Sequence, residues 1–171
     1  MQRNERVKRL TLHSCYYEEH ISDILASSLP SMNLQALSLH DINIASDGWP
    51  YLFRNIMNCT ELTQLDLSWN ELNESTVHFL AKSIVAQRKI SRLSLSSCSL
   101  DDNCIKELAK GLRYHFALES LDISRNQPSE ERGVSHLKEL LLFNTSIVKL
   151  NVEGCGLDIQ TLYEFESRLR Y

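Results

Sequence analysis

Leu62-Thr-Gln-Leu65-Asp-Leu67-Ser-Trp-Asn70-Glu-Leu72 decides how the chain is read. Leu65 and Leu67 alternate with Gln64, Asp66 and Ser68, the period-2 pattern of a strand with one buried face. Asn70 follows where the chain turns inward, and an asparagine there offers both an acceptor and donors to backbone groups. The register recurs five more times, at Val7–Cys15, Leu34–Ile44, Ile90–Leu100, Leu118–Asn126 and Ile147–Leu157. First residues 7, 34, 62, 90, 118 and 147 step by 27, 28, 28, 28 and 29, so the chain is an array of units.

Parallel strands cannot be joined by a tight turn, so each unit needs a crossover, usually a helix. Asn73-Glu-Ser-Thr opens one, with Val77, Leu80, Ala81 and Ile84 on one face. Ile105, Leu108, Ala109 and Leu112 repeat that face 28 residues on, behind Asp101 and Asp102 as N-cap and first-turn acid. An earlier helix is predicted from Ser46-Asp47, carrying Trp49, Leu52, Phe53 and Ile56, with Pro50 tolerated in its first turn. The first helix, near 18–29, buries Ile21, Leu25 and Leu29. Ser129-Glu-Glu and Asp158 are predicted to open the last two, and Pro128 with the extra residue of the fifth unit predicts a longer loop there. Strand, loop and helix repeated six times make one α/β domain over residues 1–171. Right-handed crossovers stack it into a curved solenoid, parallel strands on the concave face and helices on the convex face.

The chain has 171 residues, 43% hydrophobic and 23% charged, which suits a globular domain with a sizeable core. A net charge of -4 predicts no general attraction for nucleic acid or an anionic membrane. No apolar run approaches the ~20 residues of a membrane span, and no apolar stretch follows the basic start. Five cysteines, an odd number without CxxC, predict neither a disulfide framework nor a zinc site, and point to a reduced, cytoplasmic setting. The three sequons at Asn58, Asn73 and Asn144 are then chance occurrences.

The unit resembles the leucine-rich repeat, L-x-x-L-x-L-x-x-N/C-x-L, over nearly the whole chain. Its length and full helix are similar to the ribonuclease-inhibitor type. The inward-turn residues read Cys15, Ile42, Asn70, Cys98, Asn126 and Cys155, so asparagine and cysteine alternate from Asn70 on and Ile42 departs from the pattern. Leu65-Asp-Leu-Ser-Trp-Asn and Leu93-Ser-Leu-Ser-Ser-Cys also resemble the repeats of NOD-like receptors. The resemblance implies a horseshoe arc and a non-catalytic scaffold or adaptor that binds another protein through its concave face and strand-exit loops. RanGAP-like GTPase activators and tropomodulin-like or ciliary structural proteins share the signature and give the alternatives.

The candidate binding residues follow from that face. They are Asp66, Ser68, Arg92, Ser96, Asp122, Asn151 and Glu153 on the strands, with His40 beside them and Asp41, Trp69 and Arg125 at the loop edge. Trp69 is the expected anchor, an aromatic at a strand exit between an acid and a base. Six strands of about five residues offer roughly 400 Å², against ~800 Å² per partner in a standard interface, so loops or flanks must contribute. His13, His40 and Asp66 lie in neighbouring columns, but two histidines and a carboxylate on a polar sheet read as solvated surface or a pH-sensitive contact rather than a metal site. The serine column Ser68, Ser96, Ser124 has no triad spacing around it, and no glycine-rich phosphate loop occurs, so no catalytic residue, metal or cofactor is expected. Cys15, Cys98 and Cys155 read as buried turn residues, Cys104 as core-facing and Cys59 as the exposed thiol. Arg3, Glu5, Arg6 and Lys8 shield the first edge only partly. Either the chain is a piece of a larger protein, or it is a small, complete adaptor whose N-terminal edge pairs with another chain, a second copy included.

Overall fold

Each unit folds as it does because its apolar spacing changes from 2 to 3.6 residues across the inward turn. The computed structural model describes residues 6–14, 21–42 and 44–169. Strands β1 (Arg9–His13), β2 (Ala36–His40), β3 (Gln64–Asp66), β4 (Arg92–Ser94), β5 (Ser120–Asp122) and β6 (Lys149–Asn151) form one parallel sheet in chain order. Helices α1 (Ile21–Ser28), α2 (Gly48–Ile56), α3 (Glu74–Ala86), α4 (Asp102–Leu112), α5 (Gly133–Phe143) and α6 (Ile159–Leu169) alternate with them. The register is one unit per strand: Leu37 pairs with Leu65, Leu65 with Leu93 and Leu93 with Leu121. These leucines are buried, as are Leu39, Leu67, Leu95 and Ile123 behind them. Each such side chain taken from water contributes about 2 kcal/mol. Leu10 and Leu12 in β1, and Leu150 and Val152 around β6, are only partly buried, because a strand at the sheet edge packs on one side alone.

Strands β3 to β6 are three residues long rather than the five expected. Beyond them the backbone still bonds to the next unit, Trp69 N to Ser96 O at 2.9 Å and Arg125 N to Glu153 O at 2.7 Å, but in a curling rather than extended path. The expected caps are in place. Asn73 accepts from Thr76 N at 2.9 Å, Asp101 from Cys104 N at 2.9 Å and Asp158 from Thr161 N at 2.7 Å. The fifth helix is a correction: it starts at Gly133, not at Ser129. Asp102 of the preceding unit accepts from Ser129 N and Oγ at 2.7 and 2.6 Å, which pins Ser129 into the loop. A Cβ on Gly133 would sit 2.5 Å from Pro128 Cβ, so the lengthened loop closes against the helix start.

Two buried polar columns tie unit to unit. The first is the inward turn. Asn126 accepts from Cys98 N and Leu100 N at 2.9 and 3.0 Å, and donates to Leu95 O and Ile123 O, both at 2.8 Å. Asn70 accepts from Ile42 N at 2.8 Å and donates to Leu39 O and Leu67 O at 2.6 and 2.7 Å. Ile42 therefore needs no polar side chain, because the next unit's asparagine holds its amide. Cys98 and Cys155 instead donate Sγ–H to Leu67 O and Ile123 O, both at 3.2 Å. Cys15, like the chain before Arg6 and residues 18–20, where the first helix was expected to begin, lies outside the described residues.

The second column corrects the reading of Cys59, which is 2% exposed. Steps of 28, 28 and 29 from Cys59 reach Gln87, His115 and Asn144, all buried where a helix returns to a strand. Gln87 Nε2 donates to Cys59 O and Leu62 O at 2.8 and 3.1 Å, and Asn144 Nδ2 to Leu112 O and His115 O at 2.7 and 3.2 Å. Burial pushes the Cys59 thiol up to about 11, and Cys98 and Cys104 up to about 12, so none is a ready thiolate.

Candidate protein-binding face

The inward-turn column leaves the residue just before it in one conformation in every unit. Ser14, Asp41, Trp69, Ser97, Arg125 and Gly154 all have positive φ, between 49 and 71°. Only the last is the glycine that tolerates this freely. For an L side chain the left-handed region costs roughly 1–2 kcal/mol, met here by backbone bonds to the neighbouring unit. The result is a rim of side chains, one per unit, thrown outward where the sheet meets the loops. Trp69 stands on it 55% exposed.

Behind the rim, the strand ends are turned by their own side chains. Asp66 Oδ1 accepts from Ser68 N at 3.0 Å, Asp122 Oδ1 from Ser124 N at 2.9 Å and Asn151 Oδ1 from Glu153 N at 3.0 Å. The second oxygens face the sheet: Asp66 Oδ2 meets His40 Nε2 at 2.6 Å, and Asp122 Oδ2 accepts from Asn151 at 3.1 Å. Burial opposes charge on Asp66, but the Ser68 hydroxyl and amide and His40 more than offset it and hold the carboxyl below its ordinary range. His13 and His40 pair in register with ring centroids 5.8 Å apart.

Ser68 does not face outward as expected. It is 4% exposed, and its hydroxyl bonds Asp66 Oδ1 at 2.7 Å and Ser94 Oγ at 2.8 Å. Ser124 donates to Ser96 Oγ at 2.9 Å in the same way. These serines brace the acids from behind. Arg92, Arg125, Asn151 and Glu153 are exposed and His40, Asp41, Asp66, Ser96 and Asp122 half-buried. Among the described residues, no group of three or more His, Cys, Asp or Glu side chains is placed to hold a metal.

Two hollows flank Trp69. One of about 540 Å³ lies toward the second unit and includes Asp41, Trp49 and Glu71 in its lining. The other, about 420 Å³, lies toward the fourth and fifth units and includes Ser97, Asp101 and Arg125. The structure thus brings Asp41 and Arg125 to opposite sides of the same indole. Sequence reasoning missed Glu71 and the depth of these hollows. The only sequence sign was Gly154, which marks the left-handed column in the sixth unit.

A six-stranded parallel sheet with one helix per strand and an asparagine–cysteine turn column settles the architecture. The chain folds as an α/β leucine-rich-repeat solenoid. No family profile matches the sequence. The repeats are similar to those of NACHT, LRR and PYD domains-containing protein 5 of Mus musculus, 27% identical over 129 residues, covering 75% of this chain and 11% of that protein. Protein 14 of the same series in Homo sapiens is 28% identical over 170 residues, covering 95% and 15%. The chain therefore spans less than a sixth of the length of these relatives. Among solved structures, leiomodin-1 actin-binding site 2 shares the fold with a TM-score of 0.72 at 16% identity, covering 88% of this chain and 90% of that one. The tropomodulin C-terminal domain of Caenorhabditis elegans matches with a TM-score of 0.68 at 8% identity, covering 98% and 85%. Identities this low carry the fold alone. Among the described residues no helix is long and apolar enough to cross a membrane.

Proposed function

We propose that this solenoid is a non-catalytic scaffold that binds another protein through its strand-exit rim and the adjoining sheet face. One observation carries the reading: a tryptophan is held in a costly left-handed conformation, more than half exposed, between two hollows. Exposed aromatics flanked by charge and recessed surface supply most of the energy of protein interfaces. The three-residue strands make the sheet face smaller still than the estimate from sequence, which shifts the contact toward the rim. The test is capture of partners from source cells with the wild type and with Trp69→Ala combined with Asp122→Arg. Recovery of the same partners at the same strength would refute the face.

The leiomodin likeness favours a cytoskeletal partner as the second reading, since that domain is an actin-binding site. Cosedimentation with actin filaments tests it directly. The half-buried leucines of β1 and β6 favour edge-to-edge self-association as a further arrangement, read by the concentration dependence of sedimentation. Sensing roles of whole NACHT proteins and RanGAP-like activation of a GTPase are finer proposals, of which the second predicts faster GTP turnover.

A further inference from the structure

A second surface lies on the helix side of the solenoid. Between them α4 and α5 leave a groove of about 180 Å³, whose lining includes Lys106, Lys110 and Arg113 from α4 and His136 and Glu139 from α5. Glu139 is already engaged, accepting from the Arg113 guanidinium at 2.8 Å. Lys110 is engaged by Glu107, which also meets His78. Asp102, one turn before Lys106, is held by Ser129. Lys106 and His136 are half-buried, and among the described residues neither side chain has a hydrogen-bond or ion-pair partner. A cation half-withdrawn from water without a counter-charge is a place for an anion.

The groove runs out onto aromatic surface. Tyr114 and Phe116 follow α4 and are 65% and 62% exposed, with ring centroids 6.4 Å apart. Large exposed rings side by side mark contact surfaces. The Arg113 guanidinium stacks on Phe143 at 3.7 Å and lies 5.7 Å from the Tyr114 ring, a fixed joint between the cationic and the aromatic ends. From Lys106 to Arg113 the helix rises about 10 Å, which three to four residues of extended chain cover. We propose that the α4–α5 groove is a second protein-docking site, whose occupant is a short extended segment of a partner with a carboxylate and, about four residues away, an aromatic side chain. The carboxylate meets Lys106 and His136, and the aromatic side chain lies on Tyr114 and Phe116. A basic residue would meet Lys106 with like charge, and a wholly apolar segment would bury that lysine unpaired. The groove shares no lining residue with the hollows beside Trp69, so the site goes beyond the rim and does not rest on it.

The test uses the full chain, labelled with ¹⁵N, and pentapeptide probes, N-acetylated and amidated. Glu-Ala-Ser-Ala-Phe and its reversed order are titrated, following the backbone amides of α4 and α5, and the tighter of the two is compared with its glutamine isostere. The glutamate probe should shift these amides saturably and bind about threefold more tightly than the glutamine one, a preference lost in about 0.5 M salt. Lys106→Gln should remove the preference, and Phe116→Ala should weaken both probes about fivefold. Lys106→Glu should turn the preference toward lysine in place of glutamate, which a loss of folding could not do. Equal binding of the two probes, a preference that survives Lys106→Gln, or indifference to Phe116→Ala would overturn the proposal. So would self-association in sedimentation that Phe116→Ala abolishes, since the occupant would then be a second copy. Trp69→Ala should leave probe binding unchanged, so this site and the rim stand or fall separately.

Discussion

Replacing Asn126 with alanine should split the solenoid. Its side chain is 1% exposed and spans the fourth and fifth units. Without it, Cys98 N, Leu100 N and Leu95 O lose the partners that Asn126 provides, whereas Ile123 O keeps the Cys155 thiol. A buried backbone group left unpaired costs about 1–2 kcal/mol, so three give roughly 4 kcal/mol. Asn70→Ala strands only Ile42 N and Leu39 O, because Leu67 O keeps Cys98, and should cost roughly 2.5 kcal/mol. Domains are stable by only about 5–15 kcal/mol in total, and repeat arrays depend on each interface between neighbours. Urea unfolding followed by circular dichroism should show the larger loss for Asn126→Ala, with a lower m-value or two steps as α5 and α6 melt first. Amide exchange should then lose protection in α5 and α6 before α2 and α3. A cost under about 1 kcal/mol with unchanged m, or Asn70→Ala costing the more, would refute the reasoning.

Arg125→Gly should raise stability by roughly 0.5–1 kcal/mol by relieving a φ of 56°, and Gly154→Ala should lower it by about 1–2 kcal/mol, both read by urea unfolding. His115→Gln should be neutral or stabilising by up to ~1 kcal/mol in the same assay, since His115 Nδ1 is buried without a partner and Nε2 meets Gln87 O only at 3.4 Å. Cys59 should resist a thiol reagent in the native state and react at once in urea, checked by mass spectrometry of labelled peptides. Asp66 has a folded-state pKa below its unfolded one, so its contribution is present above the unfolded value and lost as pH falls through the folded value. The wild type should therefore lose stability more steeply than Asp66→Asn below about pH 4, measured by thermal melts across pH.

Most of the architecture was legible because it is local and repeated. Leu65 and Leu67 alternate, the step is constant, and Asn73, Asp101 and Asp158 cap helices through bonds three residues away. What escaped depends on contacts between units. Ser129 resembles a helix start, yet Asp102, 27 residues earlier, binds it in the loop. Cys59 belongs to a column whose other members, Gln87, His115 and Asn144, share no chemistry with a thiol, so only the spacing marked it. Ser68 occupies an outward register position, but its hydroxyl closes on Asp66 as the three-residue strand ends. For the candidate face, the placing of Asp41 and Arg125 around Trp69 was legible. Glu71 was not, because a residue just past the inward turn shows its direction only once the turn's handedness is known.

The turn column also gives the array a grammar of insertion and deletion. Each asparagine closes the turn of the unit before it, and each cysteine asks less of its neighbour. Cutting out the fourth unit alone would place asparagine beside asparagine, and cutting out the fifth alone cysteine beside cysteine. Cutting out an adjoining pair, such as the 56 residues from one asparagine to the next, restores the junction that was there. From Asn70 onward the pair of repeats is thus the smallest piece whose removal or duplication leaves every junction of the turn column bonded as it was.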